Sequence, residues 1–521
     1  MTKTMISSGR PWSNPAFGRL ILFVLLLVVT LFLCAYNLET YPRTWWDEGK
    51  FIQIPKNVVL YGKYATLSSE GFRMFSVYGT GPAVFLPIAA VFKLFGIGLL
   101  QARWVMVGFT LLATVACYSI ARQLYGDRVA LVAASLLVLV VYDEFTSLLF
   151  LGRQVLGEVP AFFYLMAGCL IWMRQRSDAK RVVLALAGVF WGLAVLAKWI
   201  FVMVIPCLVV LWIADRLCFR KLRHRHFVIP MLVVVAAVLA WFGYMVYVMG
   251  IRGISDILLQ TQDNATSNVF FLSLDSILAG ARFLIRSRFL VWGMPGIVYV
   301  LLVNVSRGRG SGARYWFLPV LACGWLTWYI FLSLGWTRQV FVPFAVSNIF
   351  LAKLMNDLSG GFAFSPRQLV AGIRVGNTAT IGKLSVGLMV VALLASSPVQ
   401  VVKGIVGEQD ASAQEFACYI NEHVAEDVVI ESYEYELDIL TRHTYHHPPE
   451  PLITLVTKHV YSGDPYPEGF YEFQEFDPEY LIVGPFAKWT GIYAGDFLRE
   501  SCALVKSVGE YDLYRVERGE E

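Results

Sequence analysis

Long apolar segments recur along most of this 521-residue chain and restrict its fold more than any single motif does. A helix needs about 20 apolar residues to cross the hydrocarbon core of a bilayer. Only 16% of the residues are charged, compared with about 25% in an average soluble domain. We therefore expect a polytopic α-helical membrane protein with about 11 transmembrane helices. The runs of roughly spanning length lie at about 17–36, 103–121, 128–145, 159–174, 181–198, 199–214, 227–248, 290–305, 315–335, 339–357 and 384–402. No basic tract interleaved with aromatic residues indicates nucleic-acid binding.

One shorter apolar segment, 83–96, decides the predicted topology. It has about 14 residues and contains Pro87 and Lys93, so we expect an interfacial or re-entrant helix rather than a span. With the N-terminus inside and this segment not spanning, every strongly basic short loop falls on the cytoplasmic side, as the positive-inside rule requires. Those loops lie at 122–128, 174–181, 216–225, 307–314 and 353–383. We expect a multi-pass protein of the inner cell membrane, with membrane lipids as partners and the long loops outside.

The sequence divides into a membrane domain, 1–403, and a polar tail, 404–521, which we expect to be extracytoplasmic. An outer loop at 37–102 should carry interfacial helices. In the tail, 411–424 has helical spacing, and 428–430, 480–483 and 513–516 are typical of short strands, so we expect a small α/β domain. The eight cysteines show no metal-binding spacing. A disulfide between Cys418 and Cys502, the two in the tail, is one possibility.

Two adjacent carboxylates, Asp47 and Glu48, follow the first apolar run and a pair of Trp residues. Acidic side chains beside a membrane are costly unless they are solvated or used, so they indicate a functional site. The alternative is a solvated loop acid next to interfacial tryptophans. Acid–base chemistry on a substrate held at the membrane surface would need such a group.

Other ionisable residues lie at the predicted outer ends of helices. Cations are expected to be rare there, and a Lys or Arg in that position can bind a phosphate by charge-assisted hydrogen bonds. The alternative is that these side chains only extend to lipid headgroups, that the loop acids are solvated, and that Glu158 merely begins a helix. The outer-face residues are Asp143, Glu144, Arg153, Glu158, Lys198, Arg282, Arg286, Arg288 and Arg338.

The segment Tyr41-Pro-x-x-Trp-Trp-Asp-Glu-Gly-x-Phe51 resembles the first outer loop of the GT-C superfamily of integral-membrane glycosyltransferases. It is similar to prokaryotic relatives of the dolichyl-phosphate-mannose protein O-mannosyltransferases and of the lipid A aminoarabinose transferase. The resemblance covers roughly residues 20–345, and the order of short motifs carries it. Those motifs are Gly79-Thr-Gly-Pro82, Leu94-Phe-Gly96, Ala102-Arg-Trp104, Gly157-Glu-Val-Pro160 and Leu193-Ala-x-x-Ala-Lys198.

The resemblance implies transfer of a sugar from a polyprenyl-phosphate-linked donor to an acceptor on the outer face, with inversion of the anomeric carbon. The acceptor can be a lipid, a polysaccharide or a protein. Asp47 would be the general base, Glu48 would orient the acceptor or Asp47, and Glu158 would line the same cavity. Arg338, Lys198 and Arg288 are the candidates for binding the donor phosphate.

One departure from the family pattern concerns that phosphate. Related enzymes often carry a Lys or His before the short helix, whereas Tyr78-Gly-Thr-Gly-Pro82 has no cation. Other cations must then replace it, among them Arg73 or the group Arg282, Arg286 and Arg288.

A divalent metal ion is a further expectation that the sequence leaves open. Asp47, Glu48 and Glu158 are the candidate ligands for Mg²⁺ or Mn²⁺ if they converge, but nothing in the sequence requires a metal. Two other functions remain as alternatives. A transporter or flippase of lipid-linked saccharides would place ionisable residues near the bilayer midplane and show internal repeats. An inactive scaffold would not need the acidic residues.

Overall fold

A computed structural model describes residues 15–76, 79–175, 177–264, 270, 272–308, 312–362, 378–396, 398–407, 410–449, 452–462, 465–467, 470–493, 498 and 501–517. Helices dominate the first 406 residues. They are α1 Pro15–Ala35, α2 Trp46–Tyr61, α3 Pro82–Phe95, α4 Leu99–Tyr125, α5 Asp127–Leu139, α6 Leu148–Leu151, α7 Glu158–Met173, α8 Arg181–Ala197, α9 Val204–Ala214, α10 Arg225–Asn264, α11 Leu274–Arg286, α12 Phe289–Ser306, α13 Gly312–Leu332, α14 Phe341–Leu358, α15 Thr378–Ser396 and α16 Pro398–Val406.

Within the described residues, seven helical segments are long and apolar enough to cross a membrane, and four further apolar helices are shorter. The predicted polytopic helical fold is therefore confirmed. The seven segments are Phe17–Ala35, Leu99–Tyr125, Trp199–Phe219, Arg225–Ser255, Phe289–Ser306, Gly312–Leu332 and Thr337–Leu358. The figure of about 11 spans stays a prediction.

Two of the predicted spans differ from single straight helices. The run 128–145 contains the 13-residue helix α5, which ends at Leu139 where Val140 turns extended. The run 384–402 is divided between α15, which ends at Ser396, and α16, which begins at Pro398. Proline suits the first turn of a new helix because it has no N–H to donate to the preceding one.

The outer loop contains α2, a hairpin of β1 (Ala65–Ser68) and β2 (Gly71–Met74), and α3. Helix α3 has 14 residues, so at about 1.5 Å per residue it is too short to cross a hydrocarbon core about 30 Å thick. Arg153 fastens this loop to the end of α1, where its guanidinium donates to the carbonyls of Tyr36 (2.6 Å) and Tyr41 (2.8 Å). Arg153 also donates to the carbonyl of Leu33 in the last turn of α1, where carbonyls lack helical partners.

The polar tail forms a small domain around a five-stranded sheet, in the order β4-β3-β5-β7-β6. Strand β3 is parallel to β4 and β5, and β7 is antiparallel to β5 and β6. The strands are β3 Ile430–Ser432, β4 Tyr445–His446, β5 Tyr480–Val483, β6 Cys502–Val508 and β7 Tyr511–Val516, and the helices are α17 Ser412–His423, α18 Leu437–Leu440, α19 Leu452–Ser462 and α20 Pro485–Thr490. The expected α/β architecture is confirmed. Cys418 and Cys502 are free thiols.

The tail domain, which we call the outer domain after its predicted side of the membrane, rests on the loop 37–102. Arg43 pairs with Asp410 (2.9 Å) and Glu510 (2.5 Å). The N–H of Ser69 in the hairpin donates to the carbonyl of Tyr445 in β4 (2.9 Å). The outer domain is therefore packed on the same loop that carries the paired carboxylates.

Candidate active site

Asp47 and Glu48 lie in the first turn of α2, which begins at Trp46. Acidic side chains are favourable there because the helix dipole places partial positive charge at its N-terminus. Adjacent residues on an α-helix point about 100° apart, since one turn takes 3.6 residues. The two carboxylates therefore reach different surroundings although they are neighbours in sequence.

Glu48 is fully buried and bound on both oxygens. Arg103 Nε donates to Glu48 Oε1 (2.9 Å) and Arg103 Nη2 donates to Oε2 (2.6 Å), which is the bidentate geometry of a strong ion pair. The N–H of Val155 also donates to Oε1 (2.9 Å). Arg103 further donates to the carbonyls of Leu38 (2.7 Å) and Pro42 (2.9 Å), so the pair fixes the start of the outer loop to α4. These contacts differ from the expectation that Glu48 orients the acceptor or Asp47.

Asp47 instead joins an ion-pair chain with three other predicted site residues. Asp47 Oδ2 lies 2.5 Å from Arg338 Nη2, and Arg338 Nε lies 3.7 Å from Glu158 Oε1. The same Glu158 oxygen accepts a hydrogen bond from Lys198 Nζ. The order is Asp47–Arg338–Glu158–Lys198, with contributions from α2, the 3₁₀ turn Thr337–Val340, the start of α7 and the end of α8. We call these four side chains the ion-pair chain.

Aromatic rings flank the guanidinium in the ion-pair chain. The guanidinium carbon of Arg338 lies 5.4 Å from the ring centroid of Trp45 and 5.6 Å from that of Trp336. Cations over indole faces are attracted by the ring quadrupole, so both rings stabilise Arg338 beside Asp47. Trp336 was not among the residues predicted from the sequence, although the position of Trp336 two residues before Arg338 was an available signal.

Close packing of three loops puts Lys198 beside Thr80. The N–H of Gly81 donates to the carbonyl of Ala197 (3.2 Å), and Thr80 and Lys198 form an isolated antiparallel bridge. A Cβ on Gly81 would lie 2.4 Å from the carbonyl oxygen of Leu196, so only glycine fits there. The stretch Gly79–Pro82 has no cation of its own, but the structure places the ammonium-bearing residue of another loop next to it.

Two buried oxygens in this cluster are available to a ligand. Among the described residues, neither Thr80 Oγ1 nor Glu158 Oε2 has a hydrogen-bond partner. Buried polar atoms in native proteins are almost always hydrogen-bonded, to protein, water or ligand. The ion-pair chain itself is only partly covered, with 12% of the Asp47 side chain and 17% of the Arg338 side chain exposed. A substrate with hydroxyl or phosphate oxygens would find both donors and acceptors here.

The other outer-face candidates have local contacts. Arg73 pairs with Glu70 (2.6 Å) within the hairpin. Asp143 accepts from the N–H of Phe145 (3.1 Å), and Glu144 accepts from the Tyr41 hydroxyl (3.0 Å). Arg288 precedes α12, where its N–H donates to the carbonyl of Tyr142 (3.4 Å). The side chains of Arg282 and Arg286 are exposed on α11.

The three candidate metal ligands are divided between two networks. Glu48 is bound by Arg103, whereas Asp47 and Glu158 share Arg338. In the part of the chain that the structure describes, no group of three or more His, Cys, Asp or Glu side chains is arranged to hold a metal ion.

The middle of the sequence and the fold as a whole have known relatives. Residues 80–242 match the family model described as dolichyl-phosphate-mannose-protein mannosyltransferase. The fold is similar to ArnT from Cupriavidus metallidurans bound to undecaprenyl phosphate, with a TM-score of 0.63 at 16% identity over 96% of this chain and 98% of that one. It is also similar to the archaeal oligosaccharyltransferase AglB from Archaeoglobus fulgidus in complex with an inhibitory peptide and a dolichol-phosphate, with a TM-score of 0.62 at 12% identity over 96% of this chain and 74% of that one. No curated protein sequence matches the chain significantly.

The chain has the GT-C glycosyltransferase fold.

The GT-C resemblance expected from the first outer loop is thereby confirmed, and the chain is a multi-pass membrane protein. The segment that matches the family model contains Thr80, Glu158 and Lys198, whereas Asp47 and Arg338 lie on either side of it. The GT-C similarity extends over nearly the whole chain, which includes these two residues. This similarity to GT-C proteins does not favour the alternative of a transporter or flippase.

Proposed function

We propose that this protein transfers a sugar from a polyprenyl-phosphate-linked donor to an acceptor hydroxyl at the outer face of the membrane, with inversion of the anomeric carbon. The observation that carries the proposal is the ion-pair chain, in which a carboxylate suited to deprotonation and two cations suited to a phosphate lie side by side. The similarity to ArnT bound to undecaprenyl phosphate and to AglB with a dolichol-phosphate supports a lipid-linked donor.

Asp47 is the proposed general base. The acceptor oxygen attacks the anomeric carbon from the face opposite the phosphate, its proton passes to Asp47, and the bond between that carbon and the phosphate oxygen breaks. Positioned proton transfer of this kind contributes typically about 10²–10⁴-fold to a rate. The leaving group is a lipid phosphate, already a good one, so the reaction needs one base and no strong general acid.

Arg338 and Lys198 are proposed to bind the donor phosphate and stabilise the charge that develops on it. Fixed cations aimed at developing charge are among the largest contributions to enzymatic rates. Lys198 lies beside Thr80, next to the stretch where related enzymes often carry a cation, so it is the proposed replacement for the missing residue. Glu158 pairs with both cations, and Arg288, which lies at the start of α12, is the third candidate for binding the phosphate.

A hexose of the mannose type and a lipid, polysaccharide or protein acceptor are the substrates within this proposal. Asp47 and Glu158 are the carboxylates that a Mg²⁺ or Mn²⁺ ion would meet in this site. Removing divalent ions with a chelator and adding back each ion separately tests whether the reaction uses one.

The decisive assay uses purified protein in bilayers with a series of polyprenyl-phosphate-linked hexoses and candidate acceptors. We expect transfer of the sugar and release of the polyprenyl phosphate, with a product of the opposite anomeric configuration by nuclear magnetic resonance. Retention of configuration would contradict a single displacement with Asp47 as base. Movement of the intact lipid-linked saccharide across the bilayer without transfer would favour a flippase.

The outer-face orientation is tested with thiols that the chain already has. Cys418 in the outer domain and Cys218 in the predicted cytoplasmic loop are both exposed and free. Two variants that each retain one of these cysteines are treated with a membrane-impermeant maleimide in sealed right-side-out vesicles. We expect Cys418 to be labelled and Cys218 to be labelled only after permeabilisation. The reverse pattern would contradict the proposed orientation.

A further inference from the structure

The indole of Trp46, the residue immediately before Asp47, is buried in the outer domain. Its ring stacks on Phe486 with centroids 4.7 Å apart and an interplanar angle of 18°. Tyr435 and Tyr433 contact it edge-on, at centroid distances of 5.2 Å and 5.9 Å. Only 8% of Trp46 is exposed. An aromatic cage from residues of the distant outer domain thus surrounds the first residue of α2.

The backbone of the outer domain also lies directly against α2. A Cβ on Gly49 would be 2.2 Å from the backbone nitrogen of Glu436, so any larger residue would push the two elements apart. Further along the helix, Lys56 Nζ donates to the carbonyl of Asp438 (2.6 Å). Three successive points on α2, at Trp46, Gly49 and Lys56, are therefore fixed to the segment 433–438.

The segment 433–438 is itself held rigidly from within the outer domain. Glu434 accepts hydrogen bonds from the N–H groups of Phe486 (3.2 Å) and Ala487 (2.8 Å) at the start of α20. Glu436 accepts from the Tyr511 hydroxyl (2.7 Å) in β7. The ring that stacks on Trp46 and the backbone that supports Gly49 are thus parts of one hydrogen-bonded unit.

We infer that Trp46 is a positioning residue through which the outer domain sets the direction of Asp47. The side chains of Trp46 and Asp47 differ by a fixed rotation of about 100° around the same helix, so the cage around the indole also fixes where the carboxylate points. A displacement of about 1 Å at a reacting group can cost about 10²-fold in rate. The inference assigns the outer domain a part in catalysis, and for the reaction itself it rests on the proposed function.

The alternative is that Trp46 only helps the outer domain to fold. Four variants separate the two roles: Trp46→Leu removes the ring, Trp46→Phe keeps a stacking surface, Phe486→Leu removes the partner ring without changing α2, and Leu504→Ala is the control. Leu504 lies on the edge strand β6 of the outer domain and is 57% exposed. Each variant is measured as full-length protein for kcat, for the donor KM and for its thermal midpoint.

A positioning role predicts a fall in kcat of about 100-fold for Trp46→Leu and for Phe486→Leu, with the donor KM within about threefold of wild type. Trp46→Phe should recover most of the rate, and the double variant should be no worse than either single variant because both remove the same contact. Leu504→Ala should leave kcat unchanged. The inference is overturned if Trp46→Leu keeps a wild-type kcat, if Trp46→Phe is as poor as Trp46→Leu, or if the loss lies in the donor KM.

Hydrogen–deuterium exchange of α2 gives a readout that does not depend on turnover. Removal of the Phe486 ring should speed exchange across residues 46–57 while β5 and β7 keep their protection. If exchange in α2 is unchanged, the outer domain does not position that helix, whatever the activity. Wild-type protein can show this coupling but transfer no sugar from any polyprenyl-phosphate-linked hexose. That result would refute the proposed function, but the outer domain would still position α2. If Trp46→Leu does not fold, Phe486→Leu carries the test.

Discussion

Asp47 and Glu48 are adjacent acids in the same helical turn, yet their surroundings are opposite. Glu48 is fully buried, with both oxygens bound by Arg103 and a backbone N–H. Asp47 keeps 12% of its side chain exposed and meets a cation that is shared with Glu158. A site needs a group that a substrate can reach, and a fold needs groups whose hydrogen bonds are complete. The comparison indicates that Asp47, the more accessible of the two acids, marks the proposed reaction centre, and that the acidic pair as such does not.

The largest expected effect on stability lies on the Glu48 side. Glu48→Gln removes the charge opposite Arg103 and turns an amide NH₂ toward a guanidinium donor, so a buried cation loses its counter-ion. Breaking a buried ion pair by changing one partner costs about 3–5 kcal/mol. We expect a large fall in the thermal midpoint and in the yield of folded protein, whereas the molecules that do fold should keep much of their turnover. A wild-type midpoint would contradict a structural role for Glu48.

The double variant Glu48→Met with Arg103→Met sharpens this result. Replacing both members of a buried pair with apolar residues of similar size is often neutral or stabilising. We expect a midpoint above that of Glu48→Gln alone. If the double variant is less stable than Glu48→Gln, the attraction between Glu48 and Arg103 stabilises the fold by more than it costs to bury the two charges.

The next effect concerns the cation on the Asp47 side. Arg338→Lys keeps the positive charge but loses the planar guanidinium that lies over Trp45 and Trp336 and reaches both Asp47 and Glu158. We expect kcat/KM for the donor to fall about 100-fold, with loss of phosphate binding as the main cause. Arg288→Lys is measured beside it, and an equal loss there would make Arg288 a phosphate ligand of the same rank.

A smaller effect is expected at Glu158. Glu158→Gln removes the charge that holds Lys198 and Arg338 together but leaves Arg338 paired with Asp47. We expect about a tenfold fall in kcat/KM, because each cation keeps its charge but loses part of its orientation. In combination with Lys198→Met, the loss should be less than the sum of the two single losses in free energy. Strict additivity would indicate that the two residues act separately.

The last effect varies with pH and concerns a buried acidic pair in the outer domain, Glu434 and Glu436. Burial raises the pKa of Glu434 well above its usual range, the Glu436 carboxyl raises it further, and burial also raises the pKa of Glu436. The folded domain therefore holds protons that the unfolded chain releases as the pH rises past about 4.5. The free energy of unfolding should then fall with rising pH, by at most about 1.4 kcal/mol per pH unit for each retained proton.

Thermal midpoints measured between pH 5 and pH 8 test this dependence. Glu436→Gln should flatten the slope, because the amide cannot ionise and no longer opposes ionisation of Glu434. Glu415→Gln is the control, since Glu415 is exposed on α17. Wild-type stability that rises over this range would contradict the raised pKa values of this pair, because carboxylates held ionised in the folded state add no further stability above about pH 5.

Local sequence patterns predicted much of the fold. The apolar runs located the membrane helices, and the helix and strand patterns in the tail lie close to α17, β3, β5 and β7. Pro398 was a visible signal for the division of the last apolar run. Asp47, Glu158, Lys198 and Arg338 were selected because acids beside the membrane are costly and cations at its outer face are expected to be rare, and because the GT-C resemblance gave them roles. The structure brings these four together.

Contacts between distant segments had no comparable signal. The sequence shows Arg103 inside an apolar helix, but no local pattern indicates that Glu48 pairs with Arg103 rather than with the acceptor. The bridge between Thr80 and Lys198 depends on loops that pack so closely that only glycine fits at position 81. The cage around Trp46 depends on residues of the outer domain. Such pairings are decided by tertiary packing, so they were absent from the sequence argument.

The account is tested most directly by the turnover number of Asp47→Asn, measured per folded molecule with a polyprenyl-phosphate-linked hexose. The amide cannot take the acceptor proton, so we predict a loss of about 10³-fold in kcat with donor binding and the thermal midpoint close to wild type. This is the reverse of the pattern expected for Glu48→Gln. Near-wild-type turnover of Asp47→Asn would contradict the assignment of Asp47 as the base.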